Sequence, residues 1–180
     1  MPSARTVWLT GLSGAGKSTV ARLVAAELRA RGERVEVLDA DPVRRLLCAD
    51  LGFSREDRET NARRIAFVAD LLSRNGVTAI AAVISPYRHA RAHARDLLGE
   101  RFVEVYVKAS VEVCARRDPK GLYRRAFAGE LTHFTGVSDP YEEPRDPEIV
   151  LDTERQTPQQ SAAAVLAFLA AHGVLLDVDP

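Results

Sequence analysis

Cysteine is scarce in this chain. Cys48 and Cys114 are the two thiols in 180 residues. One pair cannot staple a small secreted scaffold, so free thiols in a reducing cytosol are expected, and the protein is read as cytoplasmic. An excess of charge of one sign is also missing: 25 basic residues face 25 acidic ones. That excludes the broad cationic surface of a nucleic-acid binder and leaves room for a local basic pocket. The longest apolar run, AAAVLAFLAAH near the C-terminus, falls short of the ~20 residues that span a bilayer, and MPSARTVWL at the start has no secretory pattern. No internal repeat, low-complexity tract or interdomain linker interrupts the chain, so residues 1–180 read as one domain. The guanine-reading Asn-Lys-x-Asp is absent, which argues against a GTPase switch. His89 and His93 have a spacing that can bind zinc. No third ligand or neighbouring Glu base joins them, so solvent-facing imidazoles are the simpler reading; His133 and His172 are weaker candidates still.

What is present is the composition of a globular protein, 46% hydrophobic and 28% charged. Around one stretch the rest is organised: Gly11 to Thr19, GLSGAGKST. It fits the phosphate-binding P-loop template through Gly11, Gly16, Lys17 and Ser18. The spacing suits a backbone that curls around a phosphate. Gly11, Gly14 and Gly16 permit dihedrals that a Cβ forbids. The N–H groups of Ser13, Gly14, Ala15, Gly16, Lys17, Ser18 and Thr19 can then turn inward as an anion nest at the start of a helix. Lys17 reaches the β- and γ-phosphates, and the Ser18 hydroxyl is a ligand for Mg²⁺. The flanks agree, since TVWLT is β-branched and apolar and VARLVAAELRA has helical periodicity.

Strand and helix patterns alternate from here to the end. The strands are TVWLT, RVEVLD, VTAIAAVI, FVEVYVKA and EIVLDT. The helices run from Lys17 to about Ala30, over VRRLLC after Pro42, from Ser54 to Gly76, over YRHARAHARDLL, over VEVCARR and over PQQSAAAVLAFLAAH. Ser54 with Asp57 reads as a loose capping box. Trp8 and Phe67 are read as core, and Cys48 and Cys114 as buried thiols within apolar helical runs. The pattern predicts a three-layer α/β fold of the P-loop NTPase kind with a parallel sheet. In such folds ligands sit at the carboxyl ends of the strands. Residues 11–19, 39–44 and 84–88 and the insertion 118–147 should therefore share one cleft.

Each of these stretches carries chemistry. Asp39 and Asp41 follow strand two, where one carboxylate can hold Mg²⁺ or take a proton from an attacking hydroxyl. Asp41 before Pro42 is equally a helix cap. Arg44 can grip an anion or simply lie in solvent. Arg58 and Asn61 share a helix face that binds phosphate or sulfate, or else forms a salt-bridged surface with Glu56, Asp57 and Glu59; spacing leaves both readings open. Ser85 can bond a substrate phosphate, act as a nucleophile, or cap the helix that follows. The insertion 118–147 holds Lys120 and sits beside Arg116 and Arg117. Its aromatics Phe127, Phe134 and Tyr141 and its glycines make it a lid that keeps water from a phosphoryl-transfer site.

In order along the chain, GLSGAGKST, LDADPVR, LGFSREDRETNARR, ISPYR, RDPKGLYRRAFAGEL, FTGVSDPYEEP and LDT resemble the motifs of adenylyl-sulfate kinases. The resemblance runs from Val7 to Thr153. It implies ATP-dependent phosphorylation of the 3′-hydroxyl of adenosine 5′-phosphosulfate, with Mg²⁺, and so a place in sulfate activation. By it, Gly11 and Ser13 to Thr19, with Arg116, hold ATP, and Ser18 and Asp41 hold Mg²⁺. Asp41 also meets the attacking hydroxyl. Arg44, Phe53, Arg58, Asn61, Ile84, Ser85, Lys120, Gly121, Leu122, Phe134 and Thr135 bind the substrate nucleotide. Lys17, Asp41 and Ser85 are the implied catalytic residues, and Ser85 matches a serine that the family carries as a phosphoserine. A homodimer and functional coupling to ATP sulfurylase are implied as well. Three departures stand out. Ala40 replaces the glycine of an Asp-Gly-Asp turn, Phe127 stands where a basic lid residue is usual, and few residues precede strand one. The rival readings are a P-loop kinase for a nucleoside or sugar, and a non-catalytic nucleotide-binding partner of ATP sulfurylase.

Overall fold

A computed structural model describes residues 4–173. The sheet is built from β1 (Thr6–Thr10), β2 (Val35–Asp39), β3 (Thr78–Ala82), β4 (Phe102–Lys108) and β5 (Ile149–Asp152). The helices are α1 (Lys17–Ala30), α2 (Ala40–Leu46), α3 (Arg55–Arg74), α4 (Arg88–Leu98), α5 (Val111–Arg117), α6 (Leu122–Phe127) and α7 (Pro158–Ala171). Strand order is β2-β3-β1-β4-β5, every pairing parallel. β1 and β3 are buried on both faces, which is why both read as near-continuous apolar runs. Because β1 lies between β3 and β4, the chain crosses the sheet in both directions from it, and a crevice opens beyond its carboxyl end.

Side-chain alternation along β1 divides the core into two layers. Val7 and Leu9 point to one face, among Val20, Val24 and Leu28 of α1 and Val165 and Leu169 of α7. Trp8 points to the other, among Ile65 and Ala66 of α3, Ala94 and Leu98 of α4, and Phe102. α1 begins after Gly16 with no side-chain cap and no acidic residue in its first turn. α7 begins with a reciprocal capping box between Thr157 and Gln160.

Several local readings are corrected. Phe67 is not core: it is 55% exposed. The stripe of α3 that meets the sheet is Ala62, Ile65, Ala66 and Ala69, and the 3.6-residue period carries Phe67 off it. The cap of α2 is Asp39, whose carboxylate accepts from Ala40 N, so the helix starts two residues before Pro42. Ala40 opens that helix and is not among the non-glycine residues with positive φ, so the turn does not need a glycine there. Cys48 is buried, but in a turn beyond α2. Ser54 accepts from Asp57 N, while the Asp57 carboxylate turns back to Gly52 N, so the reciprocal half of the box is missing. The apolar run of β3 extends to Ile84, yet pairing as a strand ends at Ala82.

Candidate active site

The loop between β1 and α1 is fixed from outside by its carbonyls. Lys17 Nζ donates to Gly11 O at 2.9 Å and Leu12 O at 2.7 Å. Tyr123 OH donates to Ser13 O at 2.9 Å, Arg117 Nη1 to Gly14 O at 3.3 Å, and Thr153 Oγ1 to Ala15 O at 2.9 Å. Five consecutive carbonyls thus accept from side chains, and the opposite face of the loop is left to its N–H groups. At the start of α1 these have no acceptor within the helix, which is the arrangement that binds anions. Gly11 cannot be replaced without movement, because a Cβ there would lie 2.3 Å from Val107 O. Gly16 turns the chain into α1 at φ 106°. Burial lowers the Lys17 ammonium from its ordinary range to about 8. A bound polyphosphate acts in the opposite direction.

Beside the loop, Ser18 Oγ donates to Asp39 Oδ1 at 2.9 Å. Ser18, Asp39 and Asp41 present hard oxygens only, the donor type that suits Mg²⁺. Among the described residues no cluster of three or more His, Cys, Asp or Glu could hold a metal by itself. A few protein oxygens supplemented by substrate phosphates and water are the usual setting for Mg²⁺. Asp41 pairs with Lys120 of the insertion. Both side chains are exposed, so a bound ligand can exchange the pair at little cost.

The far end of the same cleft is built around Phe53, which is 54% exposed. The Arg44 guanidinium lies 4.3 Å from its ring centroid and that of Arg58 lies 5.5 Å away. Arg44 Nη1 also bonds Gly52 O at 2.9 Å. Arg58 is buried; its Nε donates to Phe53 O at 3.0 Å and its Nη2 to His133 O at 2.6 Å. That places a cation between α3 and the insertion, and burial holds its pKa below the usual guanidinium range. Above it, Phe134 meets Tyr123 edge-on at 5.0 Å. Thr135 Oγ1 is buried without a partner among the described residues, an orphan that a ligand can satisfy.

The cleft has a volume of about 1150 Å³, above the ~300–1,000 Å³ of ordinary small-molecule sites. It brings together Ser13 to Thr19, Asp41, Arg44, Phe53, Arg58, Asn61, Ile84, Ser85, Lys120, Leu122, Phe134 and Thr135. Three expected site residues are not on its wall. Gly11 is buried against Val107, Gly121 turns the chain into α6 at φ 66°, and Arg116 faces a small neighbouring depression with Val113 and Glu154. The neighbour Arg117 lines the cleft instead, as do Asp39 and Thr153. Thr153 directly follows β5, so the strand-end rule was enough to flag it. Nothing local separates Arg117 from Arg116. Among the described residues, the non-glycine positions with positive φ are Ser85, Asp118 and His133. Two line the cleft and one opens the insertion, and such strain collects at functional sites. Ser85 does not cap α4; the residue before that helix is Tyr87, which makes no side-chain cap.

Comparison with known proteins points to one family. The family model for adenylylsulphate kinase matches residues 3–152. The adenylyl-sulfate kinase of Halothermothrix orenii is 52% identical over 170 residues, 94% of this chain and 91% of that protein. A probable bifunctional SAT/APS kinase of Sorangium cellulosum is 53% identical over 93% of this chain, which spans 29% of that longer protein. The structure of the Mycobacterium tuberculosis APS kinase in complex with AMPPNP and APS superposes with a TM-score of 0.91. It is 44% identical, covering 94% of this chain and 99% of that one.

Proposed function

The chain belongs to the adenylylsulphate kinase family, and from that premise we propose how its cleft works as an adenylyl-sulfate kinase. The enzyme transfers the γ-phosphoryl group of ATP to the 3′-hydroxyl of adenosine 5′-phosphosulfate. One observation carries the assignment of roles. A single cleft has an anion-binding loop at one end and an aromatic ring flanked by two guanidinium groups at the other.

The loop from Ser13 to Thr19 holds the ATP phosphates, and Lys17 leaves the Gly11 and Leu12 carbonyls to meet the β- and γ-phosphates. Mg²⁺ would be held by Ser18 with the carboxylates at Asp39 and Asp41, and it neutralises charge on the phosphates when bound. Asp41 orients or deprotonates the attacking 3′-hydroxyl once substrate has displaced Lys120. Lys120 is then free to stabilise the moving phosphoryl group. Arg44, Arg58 and Asn61 hold the anionic end of the acceptor nucleotide, Phe53 and Phe134 hold its base, and Ile84, Ser85 and Thr135 complete the wall. Transfer is direct and in line, so positioning and charge stabilisation supply most of the rate. Ser85 is a substrate ligand in this scheme, because in-line transfer needs no covalent intermediate.

Residues 1–180 form one kinase domain with 118–147 as its lid. We propose in addition a cytoplasmic homodimer, coupled functionally to ATP sulfurylase. The bifunctional relative supports that coupling, and no helix among the described residues is long and apolar enough to cross a membrane. The deciding experiment offers ATP, Mg²⁺ and a panel of hydroxyl acceptors to the isolated chain. Turnover with adenosine phosphosulfate above every nucleoside and sugar is expected. Preference for another acceptor would overturn the acceptor site, and no turnover at all would favour a non-catalytic subunit.

A further inference from the structure

The role of Trp8 is not exhausted by the core. Its indole is fully buried between α3 and α4, yet Nε1 points past the apolar layer to Ser85 Oγ at 2.9 Å. An indole N–H only donates, so the serine oxygen must accept. A serine hydroxyl has one proton to give, and among the described residues no acceptor takes it. Ser85 is itself held from behind. Its carbonyl accepts from Arg91 Nη1 at 2.6 Å. Arg91 is buried and paired to Glu104 at 2.7 Å. These bonds maintain a backbone with φ 36°, which a serine does not adopt freely. Ser85 is one of the residues that line the cleft, so the proton that Trp8 leaves unspent is available to a nucleotide bound there.

We propose that Trp8 is a positioning residue that sets the hydrogen-bond polarity of Ser85: by engaging one lone pair it orients the hydroxyl so that its proton is donated to an acceptor oxygen of the phosphosulfate nucleotide. The inference rests on the reading of Ser85 as a substrate ligand. It also explains why Ser85 is not a nucleophile: one lone pair is engaged by the indole, and no bonded base stands ready to take its proton.

The chain has a single tryptophan, so global replacement by benzothienylalanine removes the N–H and keeps the ring; Trp8→Phe is the genetic counterpart. In either protein the dissociation constant for adenosine phosphosulfate should rise about three- to tenfold, the worth of one neutral hydrogen bond, with that for ATP unchanged. In a Ser85→Ala background the same replacement should cost nothing further, because both changes remove one interaction. A ¹⁵N-indole label gives one N–H cross-peak, which should shift on adding adenosine phosphosulfate and stay still in Ser85→Ala. Equal cost in both backgrounds, or an equal loss for ATP, would reduce Trp8 to packing and overturn the inference alone. If Ser85→Ala leaves adenosine phosphosulfate binding untouched, the substrate reading of Ser85 fails and takes the inference with it.

Discussion

The two ends of the cleft are built differently. At the phosphate end, five successive loop carbonyls are occupied, Lys17 is buried, and Gly11 is enclosed so closely that a methyl group would strike Val107. At the acceptor end, Phe53 stands half in solvent, Asp41 and Lys120 neutralise one another at the surface, and Thr135 has a buried oxygen with no partner among the described residues. The first end is preorganised by glycine geometry and by bonds from three different elements. The second is held by an exposed ion pair, an exposed ring and a buried hydroxyl, and so has room to rearrange. Under the proposed assignment, a kinase that must not transfer phosphate to water gains from this division, since the acceptor itself would complete the site.

The comparison can be broken at either end. The largest effect is expected from Lys17→Ala, which should lower kcat by about 10³-fold or more. A far-ultraviolet spectrum and thermal midpoint close to wild type would place the loss in chemistry; retained turnover would remove Lys17 from the mechanism. Arg58→Ala should act on the acceptor end, raising KM for adenosine phosphosulfate by about 10- to 100-fold, the scale of charge-assisted hydrogen bonds. KM for ATP should hardly move, and an equal rise in both would erase the distinction between the ends.

Next in size is a pH effect at the phosphate end. Burial holds Lys17 near 8 in the free protein, and bound phosphate raises that value. ATP affinity should therefore fall as pH climbs from about 8, by up to ~10-fold per unit. Calorimetry in buffers of different ionisation enthalpy should detect proton uptake on binding. For the free protein the sign is reversed: the folded pKa lies below the unfolded value of 10.5, so this group's contribution to stability grows as pH rises between the two. The smallest effect belongs to Lys120→Ala. Its ion pair is exposed, so stability should change by less than ~1 kcal/mol in urea melts, while kcat drops if Lys120 serves the moving phosphoryl.

Sequence pattern carried the architecture well because the fold is written in local terms. Every strand and helix that the pattern predicts is present, and the parallel sheet follows from their alternation. The corrections concern choices that only distant parts of the chain decide. Asp39 and Asp41 are both good caps in isolation; Asp39 takes the role because it ends β2 and also faces Ser18. Hydrophobicity alone puts Phe67 in the core, whereas the helical stripe that contains Ile65 and Ala69 excludes it. Arg117 reaches Gly14 O of the loop and Thr153 O, while Arg116 at the adjacent position of α5 does not. Residue chemistry alone could not rank those neighbours. The Trp8–Ser85 bond spans 77 positions and has no local signature at all.

The bond from Tyr123 to Ser13 has a mechanical meaning. It pins the rising limb of the insertion to the nucleotide loop, just as Glu142 N, bonded to Pro86 O at 2.8 Å, pins the descending limb to the end of β3. With both feet tethered, the insertion cannot swing as a flap from its base. An opening would lie higher up, in the exposed arc around Gly129 (φ 75°) from Ala128 to Thr132, because beyond it Arg58 holds His133 O and Phe134 O accepts from Val137, Ser138 and Asp139 N. Hydrogen exchange should be fastest in that arc and slow at both feet; a base that exchanges together with the tip would mean that the hinge lies lower.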